Sequence, residues 1–204
     1  MRSIAVGLLP DVIHSWRKQY PGTYVRLHEF THRRLAEDAV REGVSDFGIG
    51  PPPLKWTGSV CRLGWEEFKI VLPLDDALAG DAIGLAALSE REWVMFDADN
   101  GLYDLVVAAC ATGASPPFMP QPAVLTSKVE AAARLASAGV GPALVPENAL
   151  PSDLRAAVVR ADPPIGRELT VYARADWTPL GKAFLELMRA RPWQHPPRDA
   201  TVIA

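Results

Sequence analysis

The spacing with the most explicit chemistry in the chain is His28-Glu29-Phe30-Thr31-His32. It fits the H-E-x-x-H pattern, in which two imidazoles on one helical face hold zinc while the glutamate activates a metal-bound water. The neighbouring residues speak against that use. Tyr24 to Phe30 alternates like a strand and Thr31 reads as the cap of a following helix, so the two rings are separated and no metal is expected. Ser127 is the strongest ligand candidate. At a helix start its hydroxyl and the unpaired backbone N–H groups suit an anion, which the helix dipole also favours. Thr126 shares the same turn; Asn100-Gly101, ahead of a helix from Leu102, and Thr31 are two further helix starts. For each, the plain alternative is a cap that serves only its own helix.

Catalysis has no constellation to stand on. There is no G-x-S-x-G and no phosphate-cradling glycine loop, and no cofactor is implied. Cys110 shares a helix face with Val106 and Val107, as an apolar filler would, and Cys61 lacks a nearby resolving cysteine. Two cysteines are too few for a disulfide framework and fit a reduced cytoplasm. The six tryptophans are scattered without the spacing of a base-stacking platform, and Trp16 reads as core or interface.

The elements that must position these residues alternate between helix and strand, the pattern of an α/β fold. Leu8, Leu9, Val12, Ile13, Trp16 and Tyr20 recur at helical spacing until Pro21-Gly22. Thr23 to Phe30 reads as a strand, and a helix carrying Leu35, Ala36, Ala39 and Val40 ends at Gly43. Phe47 to Gly50 then forms a short strand of a parallel sheet, closed by Pro51-Pro52-Pro53. Further strands are expected at Phe68–Pro73, Trp93–Phe96, Ala123–Leu125, Ala143–Pro146 and Leu169–Ala173. Ser127 and Glu130 have capping-box spacing ahead of an alanine-rich helix that ends at Gly139, and Thr178-Pro179 opens a last helix.

Composition narrows the classes. Of 204 residues 49% are hydrophobic and 22% charged, enough for a core and too apolar for disorder. The net charge of −3, with no Lys/Arg block, excludes the footprint of a stand-alone nucleic-acid binder. The longest uncharged stretch, Leu105 to Ser127, carries Pro116, Pro117, Pro120 and Pro122, which no spanning helix would. The apolar run Ile4–Leu9 is short and Asp11 follows without a cleavage site, so a soluble, cytoplasmic protein is expected.

In order and spacing, several segments resemble the effector-binding domain of LysR-type transcriptional regulators. They are Leu9-Pro10-Asp11-Val12-Ile13 through Tyr20-Pro21-Gly22, Arg41 to Ile49, and Glu67 to Pro73. The match is strongest from Thr126-Ser127-Lys128-Val129-Glu130-Ala131 into Ala138 to Pro146, and it closes with Leu169 to Arg174 and Ala183-Phe184-Leu185. The resemblance implies two Rossmann-like lobes, periplasmic-binding-protein-like (type 2), joined by two crossing segments with a ligand cleft between them. Lobe I is then 1–67 with 168–193, lobe II is 68–167, and 194–204 is a flexible tail. The implied function is to sense a small, anionic metabolite by binding and not by chemistry, with contacts from Ser3, Thr31, Gly50, Pro51, Asn100, Gly101, Thr126, Ser127, Val145 and Pro146. Cys61 falls near a crossing segment. A homodimer or higher homo-oligomer is implied, with the Trp16 face of the first helix against the partner's second lobe. DNA would be reached only through a winged-helix domain that these residues do not include. The family also begins with a buried strand before the first helix. Either Arg2 to Gly7 serves as that strand in shortened form, or the strand is missing and the chain is a truncated product, the reading favoured here. A stand-alone solute-binding protein of the same fold and a zinc hydrolase are the alternatives.

Overall fold

The structure, a computed structural model, describes residues 2–203. Met1 and Ala204, the outer bounds of the expected first lobe and tail, lie outside the described residues. In chain order the elements are α1 (Arg2–Gly7), α2 (Leu9–Gln19), α3 (Arg33–Arg41), β1 (Gly48–Gly50), β2 (Val60–Leu72), β3 (Ala82–Ile83), β4 (Glu92–Phe96) and α4 (Gly101–Thr112). They continue with β5 (Gln121–Thr126), α5 (Val129–Ser137), β6 (Ala143–Pro146), β7 (Ala157–Tyr172), α6 (Pro179–Arg189) and β8 (Thr201–Val202). The chain forms two compact units: residues 2–65 with Glu168–His195, and Glu66–Arg167 with Pro196–Ile203. The long strands β2 and β7 carry the chain across between them.

In the first unit the core is built mainly by helices. Ile4 and Leu8 join Leu9, Val12 and Trp16 of α2 against Phe184 and Met188 of α6. Trp16 stacks on Tyr20 at 4.2 Å, meets Phe184 edge-on at 5.4 Å, and donates its indole N–H to Thr23 Oγ1 at 2.7 Å. Trp16 is therefore a core residue, and α2 turns Asp11, His14 and Lys18 outward instead. Helix α6 is opened by Thr178, whose hydroxyl accepts from the Gly181 N–H, with Pro179 in the first turn.

The structure departs from the sequence-based expectations at several places in this unit. Arg2–Gly7 forms a helix and not a shortened strand. Residues 23–30 are extended but pair with no strand among the described residues. Strand β1 pairs antiparallel with β7, Gly48 opposite Tyr172, in place of the parallel neighbour expected. On α3, Ala36, Ala39 and Val40 are buried, but Leu35 is 51% exposed.

The second unit is layered. Strands β4 and β5 run parallel with Phe96 opposite Thr126, β4 reaches the start of β6 through Val94 N–H to Pro142 O, and β6 pairs antiparallel with β2. Helices α4 and α5 cover these strands with Leu102, Leu105, Val106, Ala109, Val129, Ala132, Ala133 and Ala136. Phe68, Leu72, Trp93, Phe96 and Leu144 are wholly enclosed, each worth about 1.5–3 kcal/mol of burial. Gly43 and Gly139 end α3 and α5 at φ of +77° and +86°, as their positions predict.

The expected flexible tail is corrected. Thr201 and Val202 pair parallel with Ile165 and Gly166 of β7, and Ile203 is buried in the second unit's core. Its apolar side chain repays the ordering of the segment.

Candidate functional site

In the second unit, two helix starts follow the carboxyl ends of two adjacent parallel strands. That edge is where open α/β sheets bind ligands, because the loops there carry unpaired N–H groups. After β4, Asn100 caps α4: its Oδ1 accepts from the Leu102 N–H at 3.1 Å. Its Nδ2 donates to the Ser127 carbonyl at 3.2 Å, which ties the β4–α4 loop to the β5–α5 loop. Asn100, Gly101, Thr126 and Ser127 are thus brought together, with Ser127 exposed and Thr126 half-buried.

The capping box is not formed. Helix α5 starts at Val129, Lys128 occupies the cap position, and Thr126 Oγ1 accepts from the Lys128 N–H at 3.3 Å. Glu130 turns forward to pair with Arg134 at 3.2 Å, so it does not reach back to the turn. The Ser127 hydroxyl is left at the surface without a capping duty. Val145 and Pro146 close β6 opposite Lys69 and Phe68; both are buried and offer a ligand backbone only.

In the first unit, Gly50 and Pro51 are buried and both carbonyls accept from Thr170 Oγ1, at 3.1 and 3.4 Å. Thr31 is exposed and is not the helix cap; His32 holds that position. Arg33, the first residue of α3, donates to Pro52 O at 3.4 Å, and Glu37 accepts from the Leu54 N–H at 3.1 Å, so α3 fixes the loop after β1. Ser3 sits in the first turn of α1 at 3% exposure, which gives it no open hydroxyl.

The His28–His32 segment carries no helix: residues 23–30 are extended and α3 begins only at Arg33. The His28 ring instead lies 3.4 Å from Ser45 Oγ and edge-on to Phe30. The two imidazoles do not share a helical face. Among the described residues no group of three or more His, Cys, Asp or Glu is placed to hold a metal ion.

Sequence reasoning missed a buried polar cluster. Glu66 accepts from Arg167 Nε through one carboxylate oxygen and from Asn148 Nδ2 at 2.6 Å through the other. Arg167 lies over the Phe68 ring at 5.5 Å, and Glu66 and Arg167 are only 4% and 3% exposed. Beside them Lys69 pairs with Glu67 at 2.8 Å. Glu66 and Arg167 are the residues at which β2 and β7 enter the second unit, so the cluster pins both strands where they cross. The available signal was a charge pair, Glu66-Glu67, inside an apolar strand run.

Comparison with known proteins follows the same lines. The family model for the LysR substrate binding domain matches residues 1–193. The chain is similar to the transcriptional dual regulator GltC of Bacillus subtilis (strain 168), at 29% identity over 151 residues, which is 72% of this chain and 48% of GltC. It thus spans about half the length of that curated relative. Among solved structures it is similar to the CcmR regulatory domain of Synechocystis PCC6803 in complex with 2-PG (TM-score 0.78, 15% identity, 94% of this chain and 95% of that one). It is also similar to the effector binding domain of QuiR in complex with shikimate (TM-score 0.74, 15% identity, 91% and 90%). The fold is the α/β, type 2 periplasmic-binding-protein-like fold of these domains.

Proposed function

We propose that this chain, which belongs to the LysR substrate-binding domain family and is an effector-binding domain of that kind, takes a small anionic metabolite at the Asn100–Ser127 edge of its second unit. The observation that carries this reading is the Asn100 Nδ2 to Ser127 O hydrogen bond. It holds two helix starts side by side and leaves the Ser127 hydroxyl, with those first-turn N–H groups that no cap takes, as neutral donors for an oxyanion. The similarity to a domain bound to shikimate, a carboxylate, supports the ligand class. The resemblance adds Ser3, Thr31, Gly50, Pro51, Val145 and Pro146, of which Thr31 alone has an exposed side chain.

Binding and not chemistry is the proposed activity. The effector acts by favouring one arrangement of the units over another, and its influence is bounded by its differential affinity for the two. The family is one of transcriptional regulators, which favours this reading over the solute-binding alternative. The proposed setting is the cytoplasm, as a homodimer, with DNA contacted by a winged-helix domain outside these 204 residues. No helix among the described residues is long and apolar enough to cross a membrane.

A thermal-shift screen against small carboxylates and aromatic acids tests the site, since a ligand at 100 times its Kd adds about 2.7 kcal/mol. Asn100→Asp keeps a capping oxygen but loses the donor to Ser127 O and sets a negative charge at the edge; it is expected to abolish the shift and to lower the unliganded melting temperature slightly. Ser127→Ala is expected to weaken the shift. A hit whose shift persists in both variants removes this edge from the site.

A further inference from the structure

Beyond β2 and β7, the chain passes between the two units a third time. On the first unit, the segment after α6 lies against β2: the Trp65 N–H donates to Gln194 O at 2.9 Å, and Trp193 donates its indole N–H to Met188 O at 2.7 Å. The approach is close enough that a Cβ at Gly64 would sit 2.5 Å from the Trp193 Cβ, so only glycine fits there. Pro196 and Pro197 follow, both exposed and without N–H groups, and a turn closes through Ala200 N–H to Pro197 O at 3.1 Å. On the second unit, β8 pairs with Ile165 and Gly166, Ile203 N–H donates to Gly166 O at 2.9 Å, and Ile203 is 3% exposed. The segment is thus anchored by backbone hydrogen bonds at both ends, by one apolar plug at its far end, and is spanned by a stiff proline pair.

We propose that residues 194–203 are a strap that restrains the movement of the two units relative to each other, with Ile203 as its releasable anchor. Two strands alone leave a pair of units free to hinge, whereas a third independently seated link removes freedom from that motion. The anchor is small: two ladder residues and one buried side chain, so it belongs to the low-stability part of the fold and releases well before either unit unfolds. The strap is independent of which effector binds.

The test is single-molecule energy transfer between dyes on Glu42→Cys in the first unit and Glu90→Cys in the second, both exposed positions, in a Cys61→Ser background. A site-specific protease sequence inserted between Pro197 and Arg198 allows the strap to be severed in protein that is already folded. Cutting is expected to broaden the transfer distribution. Ile203→Asp in the uncut chain is expected to do the same with an unchanged near-ultraviolet circular dichroism spectrum, because a carboxylate does not stay in the pocket Ile203 fills. Val202→Asp, at a position 60% exposed, is expected to leave the distribution narrow. A distribution that cutting does not alter, or one that Val202→Asp broadens as much as Ile203→Asp, overturns the proposal.

Discussion

The two units solve the burial problem differently. The second unit stacks helices on a sheet: β4 and β5 are parallel, β6 and β2 antiparallel, and the apolar faces of α4 and α5 close over them. The first unit relies on helix-to-helix aromatic packing around Trp16 and Phe184, with a three-residue strand β1 and an extended segment 23–30 that pairs with no strand among the described residues. Exposed apolar side chains occur in both units, Val6, Tyr24, Leu27, Leu35, Val44 and Leu54 among them in the first and Leu74, Met119, Leu125, Val140 and Val158 in the second. Extended backbone that no sheet ladder holds opens more easily than paired strands. The second unit is therefore the scaffold that fixes the Asn100–Ser127 edge, and the first is the softer partner.

The cysteines give the sharpest way to break that comparison, because each unit holds one. Burial pushes the Cys110 thiol up to about 12, and it lies wholly enclosed on α4; Cys61 is half-buried in the first-unit part of β2. A thiol reagent at pH 7.5 is expected to modify Cys61 more than about a thousandfold faster than Cys110, since reaction runs through the exposed thiolate. In mild urea Cys110 should stay protected until the second unit unfolds. Equal rates in native buffer would show that the second unit opens as readily as the first.

The next effect is at the buried pair. Glu66→Ala removes the carboxylate that pairs with the buried Arg167 guanidinium and is expected to cost about 3 kcal/mol, the lower end for a broken buried pair, because the Phe68 ring still lies beneath the cation. The urea midpoint reports it, and a loss below about 1 kcal/mol would show that the pair does not hold the crossing strands.

What the sequence showed and hid follows from the range of the interactions. Strand β4, helix α4 and strand β6 were legible because apolar runs are bounded there by Asn100-Gly101 and Pro146. The first half of β2 was hidden by Arg62, Gly64, Glu66 and Glu67, which break the apolar pattern. Only the end of β7, Leu169–Tyr172, was legible; its first half carries Asp162-Pro163-Pro164, residue types that strands disfavour. The strand nonetheless runs through them, with Ala161 paired to β3 before the prolines and Ile165 paired to β8 after them. Segment 23–30 has strand chemistry but no partner, and pairing is not a local property. Asn100 and Ser127 were legible as separate helix starts, yet their hydrogen bond spans 27 positions. Glu66, Asn148 and Arg167 lie 82 and 101 positions apart, beyond any periodicity.

A smaller effect separates a surface ion pair from the scaffold beneath it. Arg91 holds Asp76 through two hydrogen bonds, at 2.6 and 3.1 Å, and this drives the Asp76 carboxyl below its ordinary range. A folded-state value below the unfolded one means that the pair stabilises fully above the unfolded carboxyl value and less as the pH falls through the folded one. Asp76→Asn is thus expected to cost about 1 kcal/mol at pH 7 and progressively less as the pH falls through the range of the folded carboxyl, as read from melting curves at a series of acid pH values. A loss independent of pH would assign the effect to packing.

The smallest effect probes the first unit's sheet. The Tyr172 hydroxyl is buried without a hydrogen-bond partner, opposite Gly48 of β1. Burial, with the Glu37 charge nearby, pushes its ionisation up, so it stays neutral at neutral pH. An enclosed hydroxyl that gave up water for nothing costs free energy, and its removal returns that cost while the ring keeps its edge-on packing on Trp56 at 5.0 Å. Tyr172→Phe is expected to be neutral or to stabilise by up to about 1 kcal/mol, the opposite sign to a usual core truncation. Destabilisation by more than about 1 kcal/mol would mean that the hydroxyl has a partner in solution, and that the first unit's sheet is more tightly satisfied than the contrast with the second unit implies.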